Sequence, residues 1–137
     1  MILAFVIDNS VVCGLLFVNQ ATAYTDAIAA RLADEQAHAP ALWELECVNV
    51  LRTACMRERM IASDAQALLA RIGALPIEVD RAAVPRSELL ALALRFGLTS
   101  YDAAYLELAL RLQLPIATKD GPLQGAALAT GVGVVKG

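Results

Sequence analysis

An α/β sandwich around a mostly parallel sheet is the architecture the sequence predicts. Residues 2–7 are one unbroken apolar run stopped by Asp8, the pattern of a strand buried on both faces. Further short apolar runs alternate with longer helical stretches, the order of strand–helix–strand units. Glycine, proline and small polar residues punctuate the boundaries.

The first helix is expected to begin near Ser10, whose hydroxyl suits an N-cap, and a second to cover residues 22–34. Residues 37–39 read as a short strand closed by Pro40. Residues 41–59 form a long helical stretch, apolar on most faces. Ser63 is the expected cap of a helix to about Ile72, with Gly73 as its stop. Residues 77–79 are a short strand between Pro76 and Asp80. Pro85 opens a helix over residues 86–96 that Gly97 stops, and Ser100 caps another over 101–112. Residues 115–118 are a strand ending at Lys119-Asp120. A short helix over 122–130 and a strand over 132–135 finish the chain. There is no internal repeat or linker, and 137 residues fit a single domain spanning 1–137.

Hydrophobic residues make up 58% of the chain and aromatic residues 5%, so the core is expected to be aliphatic. The mean hydropathy of +0.58 raises the question of a membrane. No window supports a span: the longest charge-free run, residues 9–25, is broken by Asn19 and Gln20. The N-terminus lacks the basic flank of a signal peptide. A soluble, cytoplasmic protein is expected, its apolar excess hinting at a surface for self- or partner association. Three cysteines without a Cys-x-x-Cys pair, and one histidine, point to neither a disulfide framework nor a zinc site. The net charge of −3 excludes nucleic-acid binding by bulk positive charge. An RNA substrate would need another source of phosphate neutralisation, and a divalent cation is the obvious one.

Ligands of open parallel sheets bind beyond the carboxyl ends of the strands. Asp8 and Asp120 each follow a strand there. Asp102 falls in the first turn of a helix, where the dipole favours negative charge. Glu46 lies inside a mostly apolar helix and must either reach solvent or meet a cation. Each acid also fits a structural role: Asp8 and Asp120 as caps, Asp102 as a first-turn acid, Glu46 as a solvated residue with Glu44 as its competitor. Together they favour a hard divalent ion such as Mg2+ or Mn2+, which takes oxygen ligands and relieves the repulsion of clustered carboxylates.

Four segments carry a family resemblance: Phe5-Val6-Ile7-Asp8-Asn9-Ser10-Val11, Pro40-Ala41-Leu42-Trp43-Glu44-Leu45-Glu46-Cys47-Val48-Asn49-Val50-Leu51, Leu98-Thr99-Ser100-Tyr101-Asp102-Ala103-Ala104-Tyr105-Leu106-Glu107-Leu108-Ala109 and Ala117-Thr118-Lys119-Asp120-Gly121-Pro122-Leu123. In order and spacing the chain resembles the PIN-domain ribonucleases, and among them the VapC-type toxins of toxin–antitoxin pairs. The resemblance maps the metal-site acids onto Asp8, Glu46, Asp102 and Asp120. It selects Glu46 over Glu44 because Asn49 stands three residues on. Ser10, Asn49 and Ser100 match polar positions around those acids. It further implies a three-layer α/β/α fold, RNA as substrate, a homodimer, and a cognate antitoxin whose tail covers the site and brings an Arg to the acids. Arg52, Arg57, Arg59, Arg81, Arg86 and Lys119 are candidates for phosphate contact, although solvated surface suits most of them better.

Two other readings compete. An aspartyl-nucleophile phosphohydrolase would use Asp8, but such enzymes usually carry a second Asp where Ser10 stands. A non-catalytic PIN-like interaction module would use the acids only as caps. His38, alone among possible bases, and Trp43 read as structural residues.

Overall fold

The computed structural model describes residues 3–137; Met1 and Ile2, the start of the expected first strand, lie outside them. Four parallel strands form one sheet in the order β3-β2-β1-β4: β1 Ala4–Ile7, β2 Gln36–Pro40, β3 Ile77–Asp80 and β4 Ile116–Ala117. Val6 pairs with His38 on one side and Ile116 on the other. The strand order therefore reverses at β1 and β4, which is where a crevice opens at the carboxyl edge of such a sheet.

Among the described residues seven α-helices accompany the sheet: α1 Asn9–Leu16, α2 Ala23–Arg31, α3 Leu42–Met56, α4 Ala62–Ala74, α5 Arg86–Phe96, α6 Ser100–Leu112 and α7 Gly121–Thr130. Under the right-handed rule for parallel crossovers, the strand order places α1–α4 on one face and α5–α6 on the other. Accordingly α1 packs on α2 and α3, α3 packs on α4, and α6 lies along β1, β2 and β4 with α5 against it. This is the three-layer α/β/α architecture. Phe5, Val6, Ile7, Ile28, Leu106 and Leu108 are fully buried in its aliphatic core. No helix among the described residues is long and apolar enough to cross a membrane.

Several boundaries differ from the sequence expectation, each for a local reason. Asp8, not Ser10, caps α1, because β1 turns into the helix without an intervening loop and Asp8 holds the extended backbone of a cap. Thr99, not Ser100, caps α6, its Oγ1 accepting from Asp102 N at 3.1 Å. Ser63 lies inside α4, which starts at Ala62 without a side-chain cap. Gly73 does not stop that helix; it runs to Ala74 and is closed by Leu75, whose extended backbone is what a residue before proline prefers. The expected final strand is reduced to one parallel bridge, Ile116 with Val134. Gly131 and Gly133 both hold left-handed backbone at φ +84°, incompatible with a regular strand. Gly97 does end α5, at φ +65°.

Gly14 fixes the approach of α1 to α2. A Cβ there would collide with the side chain of Thr25, which is fully buried and locked in a reciprocal capping box with Thr22. Gly14→Ala is expected to destabilise the fold by about 1–3 kcal/mol, the range for overpacking, as measured by urea unfolding.

Candidate active site

The topology brings the four acids to one edge. Asp8 ends β1 and Asp120 follows β4, neighbouring parallel strands. Helix α3 leaves the carboxyl end of β2, which places Glu46 in its second turn at the same edge. Helix α6 feeds a parallel strand and runs back to its start, so its first turn, with Asp102, also lies over the carboxyl edge.

Asp8 is the most enclosed of the four, 4% exposed. One carboxylate oxygen accepts from Ser10 Oγ at 2.5 Å and from Val11 N at 3.3 Å; the other accepts from Thr118 Oγ1 at 2.5 Å. Thr118 Oγ1 also accepts from Asp120 N at 2.9 Å, and Ser10 Oγ accepts from Lys119 N at 3.0 Å. Two hydroxyls thus stitch the end of β1 to the loop after β4. Burial pushes the Asp8 carboxyl above its usual range, against the lowering effect of the Ser10, Thr118 and Val11 donors, and the Asp120 charge adds to the rise.

Glu46 accepts from Tyr105 OH at 2.6 Å. Desolvation raises its proton affinity, the Tyr105 hydrogen bond lowers it, and the charge of Asp8 raises it further. Asp120 caps α7 by accepting from Leu123 N at 2.9 Å. Asp102 is pushed up to about 7, first by desolvation, then by the adjacent Asp120 carboxylate and by the charges of Asp8 and Glu46. Each of the other three acids therefore acts on Asp102. Among the described residues no cation counters Asp8, Glu46 or Asp102. Lys119, next to Asp120 in the sequence, donates Nζ to the Gln20 carbonyl at 3.1 Å.

Hard oxygen donors with uncompensated negative charge fit a divalent cation in kind. Among the described residues no three His, Cys, Asp or Glu side chains are grouped so that they could hold a metal ion as they stand; the carboxylate oxygens are engaged by Ser10, Thr118, Tyr105 and backbone amides. Magnesium keeps several waters and takes one or two carboxylates, so an open acidic edge suits it better than a preformed cage.

The polar positions singled out beside the acids separate. Ser10 touches Asp8. Asn49 is exposed and shares a cleft with Glu46. Ser100 is exposed at the start of α6. Two further contacts went unnoticed in the sequence. Thr118 stands two residues before Asp120, and a polar side chain ending an apolar strand was its signal. Tyr105 lies three residues after Asp102, on the same face of α6, and is 2% exposed; a buried phenol needs a partner for its hydroxyl. Of the candidate cations, Arg81 pairs with Glu44 at 2.8 Å, while Arg57 and Arg59 line a cleft of about 360 Å³ next to Asn49. Trp43 and Cys47 are core residues; burial pushes the Cys13 and Cys47 thiols up to about 11 and about 12, which makes them poor nucleophiles.

No family model matches the chain. It is 34% identical over 118 residues to Ribonuclease VapC12 of Mycobacterium tuberculosis, in both strain CDC 1551 / Oshkosh and strain H37Rv, covering 86% of this chain and 88% of the relative. Its fold is similar to the crystal structure of PAE2754 from Pyrobaculum aerophilum, with a TM-score of 0.72 at 22% identity, over 90% of this chain and 84% of that one. With that identity over most of both chains, the chain belongs to the VapC ribonuclease family.

Proposed function

We propose that the protein is a metal-dependent ribonuclease, the toxin of a toxin–antitoxin pair, hydrolysing RNA phosphodiester bonds at the acidic edge with Mg2+ or Mn2+. The observation that carries this reading is the electrostatic coupling of Asp102 to Asp120, Asp8 and Glu46, with no cation among the described residues countering Asp102, Asp8 or Glu46. Like charges held that close fit a site built to be neutralised by a ligand.

Asp8, Glu46, Asp102 and Asp120 would hold the ion. A divalent cation there supplies positive charge against the developing charge of the scissile phosphate and lowers the pKa of water. The chain's own residues fix the geometry around it. Ser10 and Thr118 hold both oxygens of Asp8 in place. Tyr105 engages Oε1 of Glu46, leaving Oε2 to orient water. Asp120, anchored at the N-terminus of α7, and Asp102, at that of α6, draw on two helix dipoles for tolerance of their charge.

Tyr105→Phe keeps the ring and removes only the hydroxyl. It is expected to slow cleavage about 10- to 100-fold, the usual effect of losing a group that orients a metal-site ligand, with a stability change of about 1 kcal/mol. Single-turnover cleavage and thermal melting of the same preparation check both figures.

In the proposed cellular role the partners are RNA, a cognate antitoxin and a second copy of the chain, all in the cytoplasm. Exposed Leu90 and Leu94, one turn apart on α5, and Val48 and Met56 on α3 provide apolar surface for protein association. Cleavage of single-stranded RNA with Mg2+ or Mn2+, and with EDTA, tests the activity; cutting that persists in EDTA would overturn the metal-dependent reading. Induction without antitoxin is expected to arrest growth, and unimpaired growth would remove the toxin role.

A further inference from the structure

We propose that the cleft between α3 and the start of α6, lined by Leu42, Leu45, Glu46, Asn49 and Tyr101, is a nucleobase subsite, a reading that rests on the ribonuclease function and says how the site takes its substrate. One unpaired base of the RNA stacks on the Tyr101 ring, and the Asn49 amide meets its polar edge.

Four side chains of one helix stripe, at positions 42, 45, 46 and 49, form one wall of this cleft of about 360 Å³, and Tyr101 closes it. Tyr101 is 60% exposed, so its ring is not part of the core. It immediately precedes Asp102, and Glu46 belongs to both the cleft and the acidic edge. A base held there lies beside the carboxylates instead of at a remote surface. Aromatic rings exposed next to a processing site are the usual platform for unstacked bases in single-stranded RNA.

The chemistry of the cleft favours a base over an apolar side chain of a protein partner. Leu42 and Leu45 give it apolar walls, but Glu46 and Asn49 give it a carboxylate and an amide. An aliphatic group seated there would cover both without a hydrogen bond, at a desolvation cost. A base meets the Asn49 amide with donors and acceptors on its edge, presents a π-face to Tyr101 and leaves Glu46 to the acidic edge. Charge supports the same occupant. Asn49 also lines the neighbouring cleft that holds Arg57 and Arg59. Neither arginine is in an ion pair among the described residues. A strand leaving the Tyr101 pocket across Asn49 therefore brings its phosphates to the two cations.

The test uses the full chain with Mg2+ or Mn2+ and a randomised single-stranded RNA, its cut ends sequenced, together with kcat and KM on the best-cut oligonucleotide. Wild type is expected to show a base preference next to the cut. Tyr101→Phe keeps it. Tyr101→Ala raises KM about 10-fold, within the range for losing one base stack, and flattens the preference; Tyr101→Gln serves if the alanine variant does not fold. Asn49→Ala flattens the preference with a smaller rise in KM. An unchanged KM and preference in Tyr101→Ala and Tyr101→Gln overturns the subsite and leaves the ribonuclease standing. Wild type that cuts no RNA with either ion overturns both readings together. Altered sedimentation of Tyr101→Ala with unaltered RNA kinetics assigns the cleft to a second copy of the chain, and also overturns the proposal.

Discussion

Asp8→Asn is expected to lose at least about 100-fold in RNA cleavage, the scale on which a single preorganised electrostatic group matters at a reacting centre, while the protein stays folded. The substitution keeps the size of the side chain and the carbonyl oxygen that caps α1 through Val11 N. It removes a charge that burial already disfavours. The hydroxyls of Ser10 and Thr118 can rotate to meet an amide, since each both donates and accepts. Metal-free Asp8→Asn should therefore melt no lower than wild type. Activity near the parental level would remove Asp8 from the chemistry. A large fall in melting temperature would show that its charge serves the fold instead.

Asp102→Asn should separate function from stability more sharply. The folded-state pKa of Asp102 is about 7 against an ordinary value of 3.8. Between those two values the folded protein binds more protons than the unfolded chain, so stability falls as pH rises through that window. The penalty is complete above the folded pKa and absent below the unfolded one. Asp8 and Glu46, also raised, act in the same direction. In EDTA the wild-type protein should melt higher at pH 5 than at pH 8. Asp102→Asn should flatten that dependence, melt higher than wild type at pH 8, and lose cleavage at either pH. A wild-type protein more stable at pH 8 than at pH 5 would contradict the crowded acidic edge. The trade expected at such a centre is stability given up for charge density.

The parallel sheet was legible because a strand buried on both faces leaves an unbroken apolar run, as before Asp8, and because crossover helices separate such runs. The placement of Asp8 and Asp120 at one edge was legible because parallel strands share a carboxyl edge; Glu46 and Asp102 were singled out through the resemblance of the quoted segments to a family. What escaped was set by tertiary contact. Tyr105 reads as one more apolar-face residue of α6 until Glu46, 59 positions earlier, is brought against its hydroxyl. Thr118 reads as a β-branched strand residue until Asp8, 110 positions away, accepts a hydrogen bond from its hydroxyl. The caps at Asp8 and Thr99 each fell earlier than expected, because serine, a good cap by type, follows at Ser10 and Ser100, whereas the extended backbone of the true cap is decided by where the preceding segment ends. At the C-terminus the valines of 132–135 suggested a strand, but the left-handed Gly133 between them, with Gly131 before them, allows only a bridge.

All of this depends on a divalent ion binding among the four carboxylates, and a Mn2+ titration of melting temperature at pH 7.5, beginning from EDTA-treated protein, tests it without reference to any RNA. Saturable stabilisation is expected, about 2.7 kcal/mol at one hundred times the dissociation constant, or several degrees for a chain of this size. It should be much reduced in Asp8→Asn and in Asp102→Asn. A wild-type melting temperature that does not move with Mn2+ or Mg2+, or one that moves equally in both variants, would contradict the account.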